Sequence, residues 1–477
     1  MTSSEQSSST GNDLGTPITD AFVKAFASET LVLDCPSMTL RQHTEANPRV
    51  IHGRGMISLP QGEGFQLRMY VDNDDAASAH PLAALMKMMK WVPGEIIPRE
   101  EYFSLEAIDL SGFAWACKTV QIDSHGAGYG TVITGKLYDV LAHRVSGLSP
   151  TLPAAMSMYF FEELKVPFNQ SVMTHVTSSE GTLSQSLLPK FAKFDADDFR
   201  FEVQRLELAE GSTILRVFPK GGLFPAGIET RVEESLRYVT FSPIRWCIVD
   251  KQQQGAREVI VVPQSNHRKG LFDEPLDHRH PDYAIDYWRL FVAYFQHVVG
   301  FNEAANYHPL SAQLFHVISS ETQQLDLTGL LISVAVEGVL NVEFEDVARP
   351  SDAFRATLDR VATVIRRLKC VDEGLAKRLL GVLPPMKSSR PKDKFIVLEA
   401  SGVITNEMVK EWEKLRNAIA HAAVRFDPTK TQTIWNRCNI VYTMLNLLVF
   451  RAIGYSGRYQ DFSSRGWPIK KVETPKQ

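Results

Sequence analysis

The chain is poor in the features that usually classify a protein at sight. Its five cysteines, Cys35, Cys117, Cys247, Cys370 and Cys438, are scattered singly and never form a Cys-x-x-Cys pair. That argues against a disulfide scaffold and against a structural zinc site, and no metal or cofactor is expected. Long apolar runs are also missing. The most membrane-like stretch, 439–450, is bracketed by Arg437 and Arg451 and falls short of the ~20 residues that span a bilayer. The opening MTSSEQSSSTGND has neither a basic patch nor an apolar stretch, so no secretory leader is expected. A cytoplasmic location without a membrane partner follows. Gly-x-Ser-x-Gly and His-Glu-x-x-His are both absent. The segment Gly126-Ala-Gly-Tyr-Gly130 lacks the Lys-Ser/Thr of a phosphate loop and runs into strand-like Thr131-Val-Ile-Thr, which reads as a hairpin.

What is present is globular. With 477 residues, 44% hydrophobic and 22% charged, the chain is too long for one ordinary core and apolar enough to fill two. Its formal charge of −4 conceals an asymmetry. From residue 311 onward 24 Lys+Arg stand against 18 Asp+Glu, and beyond Asp346 the ratio is 24 to 12. A cationic C-terminal half suits a polyanionic partner such as RNA.

Residues 1–18 are rich in Ser, Thr and Gly and read as a tail. From about Phe22 to Asp250 short β-rich runs dominate. Phe65, Leu67, Met69 and Val71 alternate with Gln66 and Arg68, as on a half-buried strand. Similar runs occur at 50–59, 114–122, 131–145, 201–208 and 213–218, and a helix is expected at 81–91. His278 and His280 beside Pro281 and Asp282 fit a solvated turn better than a metal site. Helical periodicity then takes over at 283–299, 328–343, 351–369 and 371–383, followed by a basic loop at 385–394. Two strong helices close the pattern, one capped by Thr405 and running to about Val424, the other spanning 429–453. The expected fold class is therefore α+β: a β-rich, sandwich- or barrel-like N-terminal domain and an all-α helical bundle. The divisions are 1–18 tail, 19–282 β-rich domain, 283–309 connecting helix, 310–459 helical domain and 460–477 tail.

The sharpest local signal is Leu415-Arg416-Asn417-Ala418-Ile419-Ala420-His421 within a helix. On ideal helical geometry Glu413, Asn417 and His421 share one face, and the long side chain of Arg416 reaches over it. These residue types suit metal-free RNA cleavage. An imidazole with pKa near ~6.5 can move the proton of an attacking ribose 2′-OH, and a guanidinium can stabilise charge growing on the phosphoryl oxygens. His421 is the candidate general acid/base, Arg416 the electrostatic stabiliser, and Asn417 an orienting amide. A surface Arg and a satisfied helical His are the plain alternative.

The Arg416-Asn417-x3-His421 string resembles the signature of HEPN-domain ribonucleases. Val334-Ala-Val-Glu-Gly-Val-Leu340 and Ile453-Gly-Tyr-Ser-Gly-Arg-Tyr459 resemble the helical domain of ApeA-like anti-phage proteins, in which a β-rich domain precedes HEPN. Over the N-terminal half the likeness rests on architecture and on His52-Gly-Arg-Gly55. The resemblance implies a homodimer or higher homo-oligomer in which Arg and His of two chains share a cleft. It implies Arg416, Asn417 and His421 as the active-site set, with Glu337 facing the same cleft and Glu413 in support. It further implies metal-independent cleavage of host RNA, tRNA being one candidate, in abortive infection, with a phage-derived trigger read by the β-rich half. Two other classes compete. One is a non-catalytic RNA- or protein-binding HEPN module with a ligand-binding β domain. The other is a carbohydrate-handling β protein, for which Trp91, Trp115 and Trp246 are too scattered to make an aromatic face.

Overall fold

The computed structural model describes all residues except 1–15, 45–46, 73–95, 127–131, 150–151, 179–180, 207–210, 265–269, 305, 320–323, 369–371, 421–428, 430 and 474–477. The helix expected at 81–91 and the glycine-rich turn after Gly126 lie outside these residues. The chain divides into two compact units, and the division does not follow chain order. One comprises 1–164, 168–224 and 245–266; the other comprises 165–167, 225–244 and 267–477.

The first unit is β-rich and contains a 14-stranded sheet whose described pairings are all antiparallel. Strands β1 (Val32–Gln42), β2 (Val50–Ser58), β3 (Gln66–Val71), β4 (Phe103–Ile108), β5 (Ala114–Gly126) and β6 (Val132–Leu137) pair in the order β4-β1-β2-β3-β6-β5. A β4–β5 pairing closes that order into a barrel-like ring. The sheet then continues through β7 (Leu141–Ser146), β14 (Ala256–Val261), β13 (Ile248–Gln253), β8 (Ala155–Phe160), β12 (Thr213–Pro219), β11 (Phe199–Arg205), β10 (Gly181–Ala196) and β9 (Gln170–Ser178). Alternation sets the inside. Leu67 and Met69 are buried while Arg68 and Tyr70 are exposed, as period-2 patterning requires. Burying each such Leu, Met or Phe side chain contributes about 1.5–3 kcal/mol. The glycines of His52-Gly-Arg-Gly55 have a packing reason, since a Cβ on Gly53 or Gly55 would run into the backbone oxygen of Tyr70 or Arg68 on the neighbouring strand.

Two sequence expectations need correction here. The first described element is a helix, α1 (Asp20–Ala27), where strands were expected from Phe22; Thr19 caps it by accepting the Phe22 N–H, and Phe22, Val23 and Phe26 are buried. The run expected as one strand at 131–145 is two, β6 and β7. It breaks where Tyr138 N–H bonds to Thr119 O and the Asp139 carboxylate accepts the Val140 N–H. Trp115 and Trp246 are buried, Trp115 donating to Asp109 at 2.9 Å, so neither can stack on a sugar.

The second unit is helical: α2 (Ile228–Thr240), α3 (Tyr283–Val299), α4 (Pro309–Ile318), α5 (Leu325–Glu343), α6 (Asp352–Arg367), α7 (Glu373–Val382), α8 (Pro391–Ala400), α9 (Asn406–Ala420) and α10 (Thr431–Ala452). Helix α2 was not expected from the sequence, which reads as short strands as far as about Asp250. Ile228, Val232, Leu236 and Val239 follow helical spacing, yet Arg231, Glu233, Glu234 and Arg237 are buried as well. They are sustained by partners: Arg231 pairs with Glu234 at 2.7 Å, Arg237 with Glu233 at 2.9 Å, and Glu234 accepts the His308 N–H at 2.8 Å. Burial nevertheless pushes the Glu234 carboxyl up to about 7, with Arg231 pulling the other way.

The basic loop expected at 385–394 is shorter than that, since α8 starts at Pro391. Lys394 is buried there and donates to Leu340 O near the end of α5 at 2.9 Å. Helices α6 and α7 are amphipathic but bury little. Phe354, Val361 and Val364 on one and Leu375, Leu379 and Val382 on the other are exposed. Among the described residues α5 alone is long and apolar enough to cross a membrane by length and composition, and 44% of that window is buried inside the protein.

Candidate functional site

Helix α9 carries the Arg-Asn end of the motif and is fixed by its apolar face. Thr405 caps it, its hydroxyl accepting the Met408 N–H at 3.3 Å. Met408, Trp412 and Leu415 recur at i, i+4 and i+7 and are buried, as one stripe of a 3.6-residue helix should be. Trp412 is the anchor. Its indole N–H donates to Ser333 O on α5 at 3.2 Å, and its ring meets Phe395 of α8 edge-on at 5.0 Å. One turn after Trp412 comes Arg416, and one turn after Ser333 comes Glu337. Two i, i+4 pairs therefore face each other, and Arg416 Nε forms an ion pair with Glu337. The guanidinium also lies 5.8 Å from the centre of the Trp412 ring.

This pair is accessible, with 47% of the Arg416 side chain and 27% of the Glu337 side chain exposed. Gly338, beside Glu337, gives the room α4 needs, because the Gln313 side chain occupies the place a Cβ would take. Asn417 is exposed on the next position of α9. Glu413 is drawn elsewhere, pairing with Lys392 of α8 at 2.7 Å. The neighbouring Glu411 binds Arg437 of α10 at 3.0 Å. Burial alone would raise the Glu411 carboxyl, but Lys414 and Arg437 outweigh it and hold it below the usual range. His421 lies outside the described residues, as does the part of the expected helix beyond Ala420.

The geometry thus brings Arg416 and Glu337 together and leaves Asn417 beside them at the surface. Chemically, a permanently charged fork held at Nε by a carboxylate can meet a phosphate with its Nη edge. Trp412 anchors the site and Lys392 draws Glu413 away from it, yet sequence reasoning missed both. The signal for Trp412 was its place in the 408, 412, 415 stripe; nothing local points from Lys392 to Glu413.

The other histidine candidates follow their turn: His278 is exposed and lies 3.4 Å from Glu274, while His280 accepts the Asp282 N–H. The described cysteines are free and buried, and burial pushes the Cys35 and Cys438 thiols up to about 12. Such thiols stay protonated and inert. No family model, curated protein or solved structure matches the chain.

Proposed function

We propose that this chain is a HEPN-type, ApeA-like endoribonuclease that cuts host RNA without a metal during anti-phage defence. The observation that carries the reading is the exposed Arg416, set by the Trp412 anchor and held by Glu337, with His421 five positions further along the sequence. In the proposed reaction the ribose 2′-oxygen attacks the adjacent phosphorus and its proton passes to an imidazole. The bond from phosphorus to the 5′-oxygen breaks, and that oxygen takes up a proton. Products end in a 2′,3′-cyclic phosphate and a 5′-hydroxyl. Arg416 stabilises the phosphoryl oxygens, and a second copy supplies the facing Arg and His in a homodimer. The acidic β-rich unit acts as the sensor of a phage-derived trigger and restrains cleavage until it arrives.

The test is RNA cleavage by the purified chain in magnesium-free buffer, read by the chemistry of the new ends. Cyclic phosphate ends are expected, with Arg416→Ala and His421→Ala each slowing cleavage by at least about a hundredfold. Ends bearing 3′-hydroxyl and 5′-phosphate, or full activity in both variants, would reject the mechanism.

A second reading has one observation in its favour: the exposed apolar residues of α6 and α7 suit a docking module. RNA bound but left intact, with affinity falling steeply as salt rises, would select that reading.

A further inference from the structure

Three ligand-type side chains from three different helices meet inside the helical unit. His297 lies in the last turn of α3, His308 begins α4 as its cap, and Glu343 is the last residue of α5. One donor atom from each lies within 4.8 Å of the other two. The two imidazole rings stand edge-on, 5.2 Å between centres. None of the three is more than partly exposed.

The contact between His297 and Glu343 is the telling one. His297 Nε2 is shielded from solvent and makes no hydrogen bond among the described residues, yet it stands 3.1 Å from Glu343 Oε2. A protonated imidazole could pair with the carboxylate at that distance, but the ring N–H is not aimed along the contact and a second imidazole stands beside it, which suits two donors sharing one cation. Two bonds of about 2.0–2.1 Å at the tetrahedral angle would hold such atoms about 3.3 Å apart. The geometry points to a divalent transition-metal site, zinc by its ligand types, with His297, His308 and Glu343 as protein ligands and water in the fourth position.

This departs from the expectation drawn from cysteine spacing, because a site assembled from three helix ends leaves no local pattern in the sequence. His308 has one competing task, as its Nδ1 accepts the Leu310 N–H at 3.2 Å. Metal on one ring nitrogen leaves the other protonated, so loading exchanges that cap bond for coordination, and a single cap bond is the smaller quantity. The site would clasp the ends of α3, α4 and α5 together, and it does not depend on the proposed RNA chemistry.

The experiment uses the full chain, stripped with a chelator and titrated with Co²⁺ as a visible stand-in for zinc. Expected are tetrahedral cobalt bands saturating at one equivalent and displaced by Zn²⁺. Glu343→Gln and His297→Ala are each expected to weaken binding by more than about tenfold. X-ray absorption on the zinc-loaded wild type needs no variant to fold, and two histidines with oxygen in the shell are expected. Absence of the bands, sulfur in the shell, or undiminished affinity in both variants would overturn the site.

Discussion

Arg416 owes its place to a residue that has no part in the motif. The Trp412 indole bonded to Ser333 O fixes how α9 lies on α5, and that contact brings Glu337 within reach one turn along. The consequence separates position from stability. Glu337→Gln should change the melting free energy by no more than about 1 kcal/mol, because the ion pair is substantially exposed. Under the proposed function it should slow RNA cleavage about ten- to a hundredfold, since a loosened guanidinium no longer meets the phosphate squarely. Parallel melting and cleavage assays check this; unchanged cleavage would remove Glu337 from the site. Arg416 and Asn417 stood out in the sequence because their chemistry is local. The destination of Glu413 did not, because Lys392 reaches it from another helix and ion pairing leaves no period to read.

At the scale of elements, α9 is held by few large contacts, and Trp412 makes two of them. Trp412→Ala should cost about 3–5 kcal/mol through the cavity and the lost indole bond, and should detach α9 from α5 and α8. An unfolding free energy lowered by less than about 1 kcal/mol in denaturant titration would show that α9 is anchored elsewhere. Most helices could be placed from sequence since their apolar stripes repeat every three or four residues; α3, α5, α9 and α10 all lie near their expected spans. Helix α2 escaped because burial there includes Arg231, Glu233, Glu234 and Arg237, and a rule that sends charge to the surface hides it. α1 escaped for a different reason: eight residues are too few to separate a helical period from a strand.

For the molecule as a whole, the helical unit takes α2 from a segment surrounded in sequence by β strands. Tyr238 of α2 stacks on Tyr294 at 4.8 Å and bonds Asn446 of α10 at 3.3 Å, and the Arg231 guanidinium donates to the carbonyls of Glu303 and Asn306. A chain beginning at Tyr283 would therefore lack a core helix and leave those groups unmatched. It should melt without a cooperative transition, in contrast to the helical unit of the full chain; a cooperative melt within a few degrees of the full chain would contradict the role given to α2. The same arrangement orders events during synthesis. At ~5–20 residues per second, α2 leaves the ribosome about 10–40 s before its partner Asn446 is even made. A helix bearing two arginines and two glutamates meant for the interior must wait that long in water, where its charges keep it soluble. Whatever the helical unit does, it cannot begin until translation of the polypeptide is nearly finished.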